Sequence, residues 1–155
     1  MSEVFMSATS FATYKPSTVK KETVLQMIGI PDRQKSLWDA IYEGFSIGVL
    51  DKLVDVMGVE KKTISTAIEL SSTTLHRRRK LGVLSREESD KLYRVAEIYQ
   101  AAIDLFEGDV KEASAWMFKP AYALGDRKPI DCLNTVAESD AVLTLLRRLD
   151  QGVGA

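Results

Sequence analysis

The chain has 155 residues, 45% apolar and 28% charged, the balance of a folded protein rather than a disordered tail. That size suits one compact domain or two small helical ones sharing a core, and no apolar run reaches the about 18 residues a membrane span needs. A formal net charge of −1 argues against a protein that coats nucleic acid indiscriminately, and one cysteine, Cys132, excludes an internal disulfide or a cysteine-built zinc site.

Residues 1 to 16 are rich in Ser and Thr and carry no sustained period, so a flexible arm is expected. The stretch "MSEVFMSATSFATYKPSTVKK" lacks the layout of a secretory signal, and a cytoplasmic protein is expected. Val24, Leu25 and Ile28 then make a short helical stripe that Gly29 and Pro31 stop. In "KSLWDAIYEGF" the residues Leu37, Trp38, Ile41 and Phe45 share one face, with Ser36 and Asp39 as a weak capping pair. Ile47 to Met57 follows at helical spacing, and Gly58 ends it. "EKKTISTAIEL" and "SSTTLHRRRKLG" read as two short helices around a tight turn at Leu70-Ser71, the second stopped by Gly82.

Ser85-Arg86-Glu87-Glu88 is a capping box opening the longest helix. Leu92, Val95, Ala96, Tyr99, Ala102, Ile103 and Phe106 follow its i, i+3, i+4, i+7 stripe, while Ile98 and Leu105 lie off it. A helix apolar on more than one side is expected at the centre of a bundle or at a subunit interface. In a twofold dimer through this helix, two recognition helices would stand roughly 34 Å apart, one DNA turn. Gly108 should end the helix, and Asp109 to Glu112 looks like a second capping box before Ala113, Trp116 and Met117. "AYALGDRKP" must be a loop, with Pro129 at the first position of a short helix through Leu133. A last helix from about Ser139 to Gln151 turns Val142, Leu145, Leu146 and Leu149 inward and puts Arg147 and Arg148 near its C-terminal end, where they suit the helix dipole. No segment alternates as a strand would, so the expected class is all-α.

Catalytic chemistry finds no foothold. The single histidine, His76, sits inside a basic run, and none of the nine glycines falls in a phosphate loop or dinucleotide fingerprint. Glu87 and Glu88 are accounted for by capping, and Cys132 by burial as a small apolar side chain. No catalytic residue, metal or cofactor is expected.

Residues 61 to 80 do fit a helix-turn-helix. Ile64 and Ser65 supply the apolar-then-small pair where two helices cross closely, Leu70 anchors the turn, and Leu75 faces the core from the second helix. Ser72 and Thr73 then lie at the exposed start of that helix, followed by His76, Arg77, Arg78 and Lys80, residue types suited to base edges and phosphates. Lys61 and Lys62 oppose their own helix dipole, which suggests phosphate contacts. Glu69 stands where a turn glycine is usual, and its charge would oppose phosphate unless it points away.

From about residue 45 to 153 the chain resembles the Xre-type antitoxins of the MbcA/ParS/Xre group. "SSTTLHRRRKLGVLSREESDKLYRVAEIY" is similar to the group's link between its helix-turn-helix and a long helix. Downstream, Ala113, Trp116, Pro120, Leu124, Gly125, Pro129, Asp131, Leu133, Thr135, Val142, Leu146, Leu149 and Gly152 fall on the recurring positions of the group's C-terminal domain. Asp126 replaces a common second glycine, and Glu138-Ser139 replaces a Gly-Ala before the last helix. The resemblance implies a helical bundle with an N-terminal helix-turn-helix and a C-terminal helical toxin-binding domain. The expected division is an arm over 1–16, a helix-turn-helix domain with the long helix over 17–107, and a toxin-binding domain over 108–155. It further implies a partner, a RES-domain toxin that consumes NAD, and repression of the protein's own operon by a homodimer within a larger complex. Toxin-contacting residues on this reading are Trp116, Pro120, Leu124, Gly125, Arg127, Pro129, Arg147, Arg148 and Gly152. The residues alone also allow a stand-alone helix-turn-helix transcriptional regulator with no toxin partner, or an adaptor that has lost DNA binding.

Overall fold

The computed structural model describes residues 21–152, so the arm expected over 1–16 and the final Val153 to Ala155 lie outside the described residues. Among the described residues there are eight α-helices and no strand: α1 Val24–Ile28, α2 Gln34–Glu43, α3 Ile47–Met57, α4 Lys61–Ala67, α5 Ser72–Leu81, α6 Arg86–Leu105, α7 Val110–Met117 and α8 Val136–Asp150. One-turn 3₁₀ helices at Tyr122–Leu124 and Pro129–Asp131 link α7 to α8. The all-α class is as expected.

Local chemistry sets the helix limits. Ser85 and Glu88 close the expected capping box: the hydroxyl takes the Glu88 amide at 3.1 Å and the carboxylate takes the Ser85 amide at 2.8 Å. A box that the sequence reading missed, Thr23 with Gln26, opens α1. Asp109 caps α7 by accepting the Glu112 amide, but its own amide already donates to the Phe106 carbonyl at 3.0 Å, so the second half of that box does not form. The last helix begins at Val136 rather than Ser139, because the Thr135 hydroxyl receives the Glu138 amide and donates to the Glu138 carboxylate. Helix α2 starts at Gln34, and Arg33 at its N-cap offers no side-chain bond, so Ser36 and Asp39 form no cap. Trp38 is 57% exposed, and only its neighbours Leu37, Ile41 and Phe45 pack inward.

Helix α6 runs through the middle, touching α1, α2, α3, α7 and α8. Its extra apolar side is thereby explained: Ile98 and Tyr99 are both fully buried, and Leu105 packs against the same core. Of the two residues expected at a subunit seam on α6, Ile98 is covered by the protein's own helices, and Leu105 is half-buried at the edge of an open groove. Polar ties lock the bundle to this helix. Gln100 accepts the Val24 amide at 2.7 Å, and the Ser89 hydroxyl accepts the Phe45 amide at 2.8 Å. The Tyr99 hydroxyl meets Ser114 at 2.8 Å, and Ser114 donates to the Met57 carbonyl. Each fully buried aliphatic side chain contributes about 1.5–3 kcal/mol. Cys132 is buried as expected, and burial pushes its thiol up. Gly44 shows why the chain needs glycine before Phe45: a Cβ there would lie 2.1 Å from the Leu84 carbonyl oxygen.

Candidate functional site

Helices α4 and α5 form the helix-turn-helix. Ile64, Ser65 and Leu70 are buried at the crossing and turn, and Leu75 is half-buried beside them. The turn is a helix-ending loop in which the Leu70 amide donates to the Ser65 carbonyl at 2.7 Å and the Glu69 amide to Thr66 at 3.1 Å. That geometry requires a left-handed residue at the position Glu69 fills, with φ of +56°. The strain of a non-glycine there costs about 1 kcal/mol. Its carboxylate receives Lys91 of α6 at 2.5 Å. Ser71 caps α5 by accepting the Thr74 amide.

Above that cap the basic run divides in two. Ser72, Thr73, His76, Arg77 and Lys80 are exposed, and neither Arg77 nor Lys80 enters an ion pair among the described residues. Arg78 does not join them. Its Nε donates to Glu88 at 2.8 Å and its Nη2 to the other carboxylate oxygen at 3.0 Å, a two-pronged bond to the first turn of α6. Burial would raise the Glu88 carboxyl, but the bonds from Arg78 and Ser85 outweigh it and hold the group below its ordinary range. Arg79 turns toward α3, where both prongs bind Asp51. Lys61 reaches the same carboxylate at 3.0 Å, so two cations share one acid, whereas Lys62 stays exposed beside Ser71 and Ser72. Asp51 is held down at about 2, mainly by the Arg79 hydrogen bond and then by Lys61, against the opposing effect of burial. Asp51 and Glu88 were missed as functional groups. The available signal was an acid between the apolar Leu50 and Leu53 of α3, and a second role hidden behind a capping glutamate.

The C-terminal unit is built around a short double-backed loop. Ala121 donates its amide to the Arg127 carbonyl at 3.1 Å and accepts the Asp126 amide at 3.0 Å. Gly125 and Asp126 are both left-handed, with φ of +68° and +61°, so the aspartate adopts the conformation a second glycine would supply. Arg127 holds this loop down by donating to Glu138 at 2.8 Å and to the Asp131 carbonyl at 2.7 Å. Glu138 lies below its usual range through the Thr135 hydroxyl first and Arg127 second. Pro120, Gly125 and Arg127 are exposed, and Leu124 and Trp116 are half-buried against the core. Pro129 is buried at the first position of the second 3₁₀ helix. Arg147 and Arg148 are exposed near the end of α8 with no ion pair among the described residues, followed by exposed, left-handed Gly152. Beside Arg147 runs an open groove of about 430 Å³ lined by Glu97, Leu105, Leu143 and Asp150. Glu97 is pushed up by burial, with Arg147 opposing and Asp140 reinforcing that shift.

The described residues thus form an all-α bundle with a helix-turn-helix ahead of a helical C-terminal unit. Residues 39–97 match the model of the antitoxin Xre-like helix-turn-helix domain, and residues 101–152 match that of the antitoxin Xre/MbcA/ParS C-terminal toxin-binding domain. The chain is 36% identical over 143 residues to "Antitoxin Xre" of Yersinia enterocolitica, covering 90% of this chain and 97% of that protein. It is 26% identical over 137 residues to "Antitoxin Xre" of Photorhabdus laumondii, covering 87% and 93%. The chain belongs to the Xre/MbcA/ParS antitoxin family.

Proposed function

We propose that the chain is the antitoxin of a toxin-antitoxin pair in the cytoplasm, that it blocks a RES-domain, NAD-consuming toxin through its C-terminal unit, and that it represses its own operon through α5. It performs no catalysis on this reading. The observation that carries the proposal is the co-occurrence of two exposed cationic faces in one rigid bundle. Ser72, Thr73, His76, Arg77 and Lys80 stand free at α5, and Arg147 and Arg148 stand free at the end of α8. Free arginines suit phosphates, carboxylates and a pocket shaped for a pyrophosphate-containing substrate. The double-backed loop over residues 120–129 would set the approach of α8 to the toxin, with Trp116, Leu124 and Gly152 flanking the contact. The proposed division into a DNA-binding part over 17–107 and a toxin-binding part over 108–155 places each face in its own part.

The homodimer belongs to the proposal as well, but not through Ile98, which the bundle buries. Trp38 and the 69% exposed Tyr42 remain open on α2, with Arg86 over the Tyr42 ring and Glu87 and Asp90 beside them. Across a twofold axis Arg86 of one copy would meet the acids of the other.

The test is co-expression with the neighbouring toxin, read as growth rescue and NAD level. A chain lacking residues from Arg147 onward should fold and bind promoter DNA yet fail to protect. Full rescue by that truncation would place the inhibitory surface elsewhere and favour the stand-alone regulator. Arg77→Ala should weaken promoter binding by about 1–3 kcal/mol in gel-shift titration if it reads a base.

A further inference from the structure

The basic run on α5 is interrupted by a residue whose charge is already committed. Arg78 has only a fifth of its side chain exposed, and Glu88 still less. Glu88 is itself pinned, because the same carboxylate receives the Ser85 amide at 2.8 Å. The strand of chain between α5 and α6 is fixed at the same place: Ile47 donates to the Gly82 carbonyl at 3.0 Å and Leu84 to Phe45 at 2.8 Å. Arg79 holds the opposite flank of the helix to Asp51. The last turn of α5 is therefore held from two sides, while Ser72, Thr73, His76 and Arg77 stay exposed.

We propose that Arg78 is a positioning residue for DNA recognition: its two-pronged bond to Glu88 sets the tilt of α5 on the first turn of α6, and it makes no phosphate contact of its own. The proposal rests on the DNA-binding reading above. A guanidinium that gave up Glu88 to reach a phosphate would leave a largely buried carboxylate unpaired, which is costly. Arg77 and Lys80, with no such partner, can meet DNA without breaking anything. A helix that reads base edges discriminates only if its side chains arrive in register, so a change in tilt lowers specific binding more than non-specific binding.

The experiment uses the full chain and fluorescence anisotropy titrations with the promoter duplex and a scrambled duplex at several salt concentrations. Arg78→Lys is the central variant, because it keeps a cation for phosphate but loses the fork that grips Glu88. The expected result is promoter affinity lower by about ten-fold, the equivalent of one lost base contact, with scrambled-duplex affinity and salt slope unchanged. Glu88→Gln keeps the Ser85 cap and should shift the promoter-to-scrambled ratio the same way. A phosphate role predicts the opposite pattern. Arg78→Lys would then bind normally, Arg78→Ala would make the salt slope shallower by about 0.9, and Glu88→Gln would tighten binding to both duplexes; any of these overturns the proposal. Arg77→Ala is the internal control. If the wild type does not prefer the promoter, the DNA-binding reading falls and this proposal with it. If wild type and Arg77→Ala differ but Arg78→Lys matches wild type, only the positioning role is lost. Arg78→Lys and Glu88→Gln should melt at lower midpoints but still cooperatively, and titrations run well below those midpoints separate a tilted helix from an unfolded one.

Discussion

The arginines of α5 and those of α8 look alike in sequence and are used differently by the fold. On α5, two acids from neighbouring helices, Glu88 and Asp51, reach Arg78 and Arg79 and leave Arg77 and Lys80 free. On α8, no carboxylate among the described residues forms an ion pair with Arg147 or Arg148, and Arg147 shares its groove with Glu97. A run of cations thus says little about binding until the acids within reach are known. One cluster has an internal half and an external half, and the other faces outward entirely. Both clusters are referenced to α6, which receives the Arg78 bond at its first turn and packs against α8 further along.

The largest effect should come from breaking that shared reference. Ile98 is fully buried, so Ile98→Glu places a charge in the core with no partner and should cost about 4 kcal/mol or more. The expected outcome is loss of the cooperative melt by circular dichroism, with DNA binding and toxin protection lost together. A well-folded monomer would instead show that α6 presents Ile98 to a second subunit and that the two clusters do not share a core.

The helix-turn-helix was legible because its requirements are local. Small Ser65 at a crossing, a cap at Ser71 and a hydroxyl-then-cation order are visible in one dimension. The same holds for the Ser85 box, which depends on a spacing of three. What failed depends on partners far along the chain. Ile98 looked surplus because period alone cannot count the helices around α6. Arg78 looked free because Glu88 was already explained by capping, and one carboxylate can do both. The α8 start was misplaced because Thr135 and Glu138 form a cap that the polar stretch before the apolar seam does not announce. Asp126, flagged as a departure from a glycine, proved compatible with the loop because aspartate tolerates the left-handed region better than most side chains.

A smaller effect should follow from loosening the inner half of the α5 cluster. The Asp51 carboxyl is held at about 2, so it favours the folded state when ionised. Its contribution is present above about pH 4, where the unfolded chain's carboxyl is also ionised, and is lost as pH falls through about 2. The unscreened shift would correspond to more than this, but the side chain is 38% exposed, and solvent screening brings the expected loss in Asp51→Asn to about 1 kcal/mol. Urea midpoints at neutral pH should fall accordingly, and the gap between variant and wild type should narrow toward pH 2. A gap that persists unchanged there would mean that Asp51 acts by packing rather than by charge.

The smallest effect on stability, and the sharpest on function, belongs to the outer cluster. Arg147→Glu with Arg148→Glu removes two cations from a helix C-terminus, where each contributes about 0.3–1 kcal/mol. The melting temperature should therefore drop only slightly while protection from the toxin disappears. The two positions are not equivalent, because Arg147 opposes the upward shift that burial gives Glu97. A carboxyl raised in the folded state is one whose ionisation disfavours folding, so this group's contribution falls as pH rises from the ordinary carboxylate range through the raised value. Reversing Arg147 removes the attraction that limits the shift and adds a like charge, so Arg147→Glu should lose more stability at pH 8 than at pH 4. Arg148→Glu should show a smaller pH dependence, only that from ionisation of the introduced carboxyl at a helix C-terminus, since Arg147 is the cation that acts on Glu97. Thermal melts of the two single variants across that range, beside growth rescue at neutral pH, separate the roles. Equal pH dependence in both variants would detach Glu97 from the α8 cluster, and retained protection in the double variant would remove the arginines from the toxin contact.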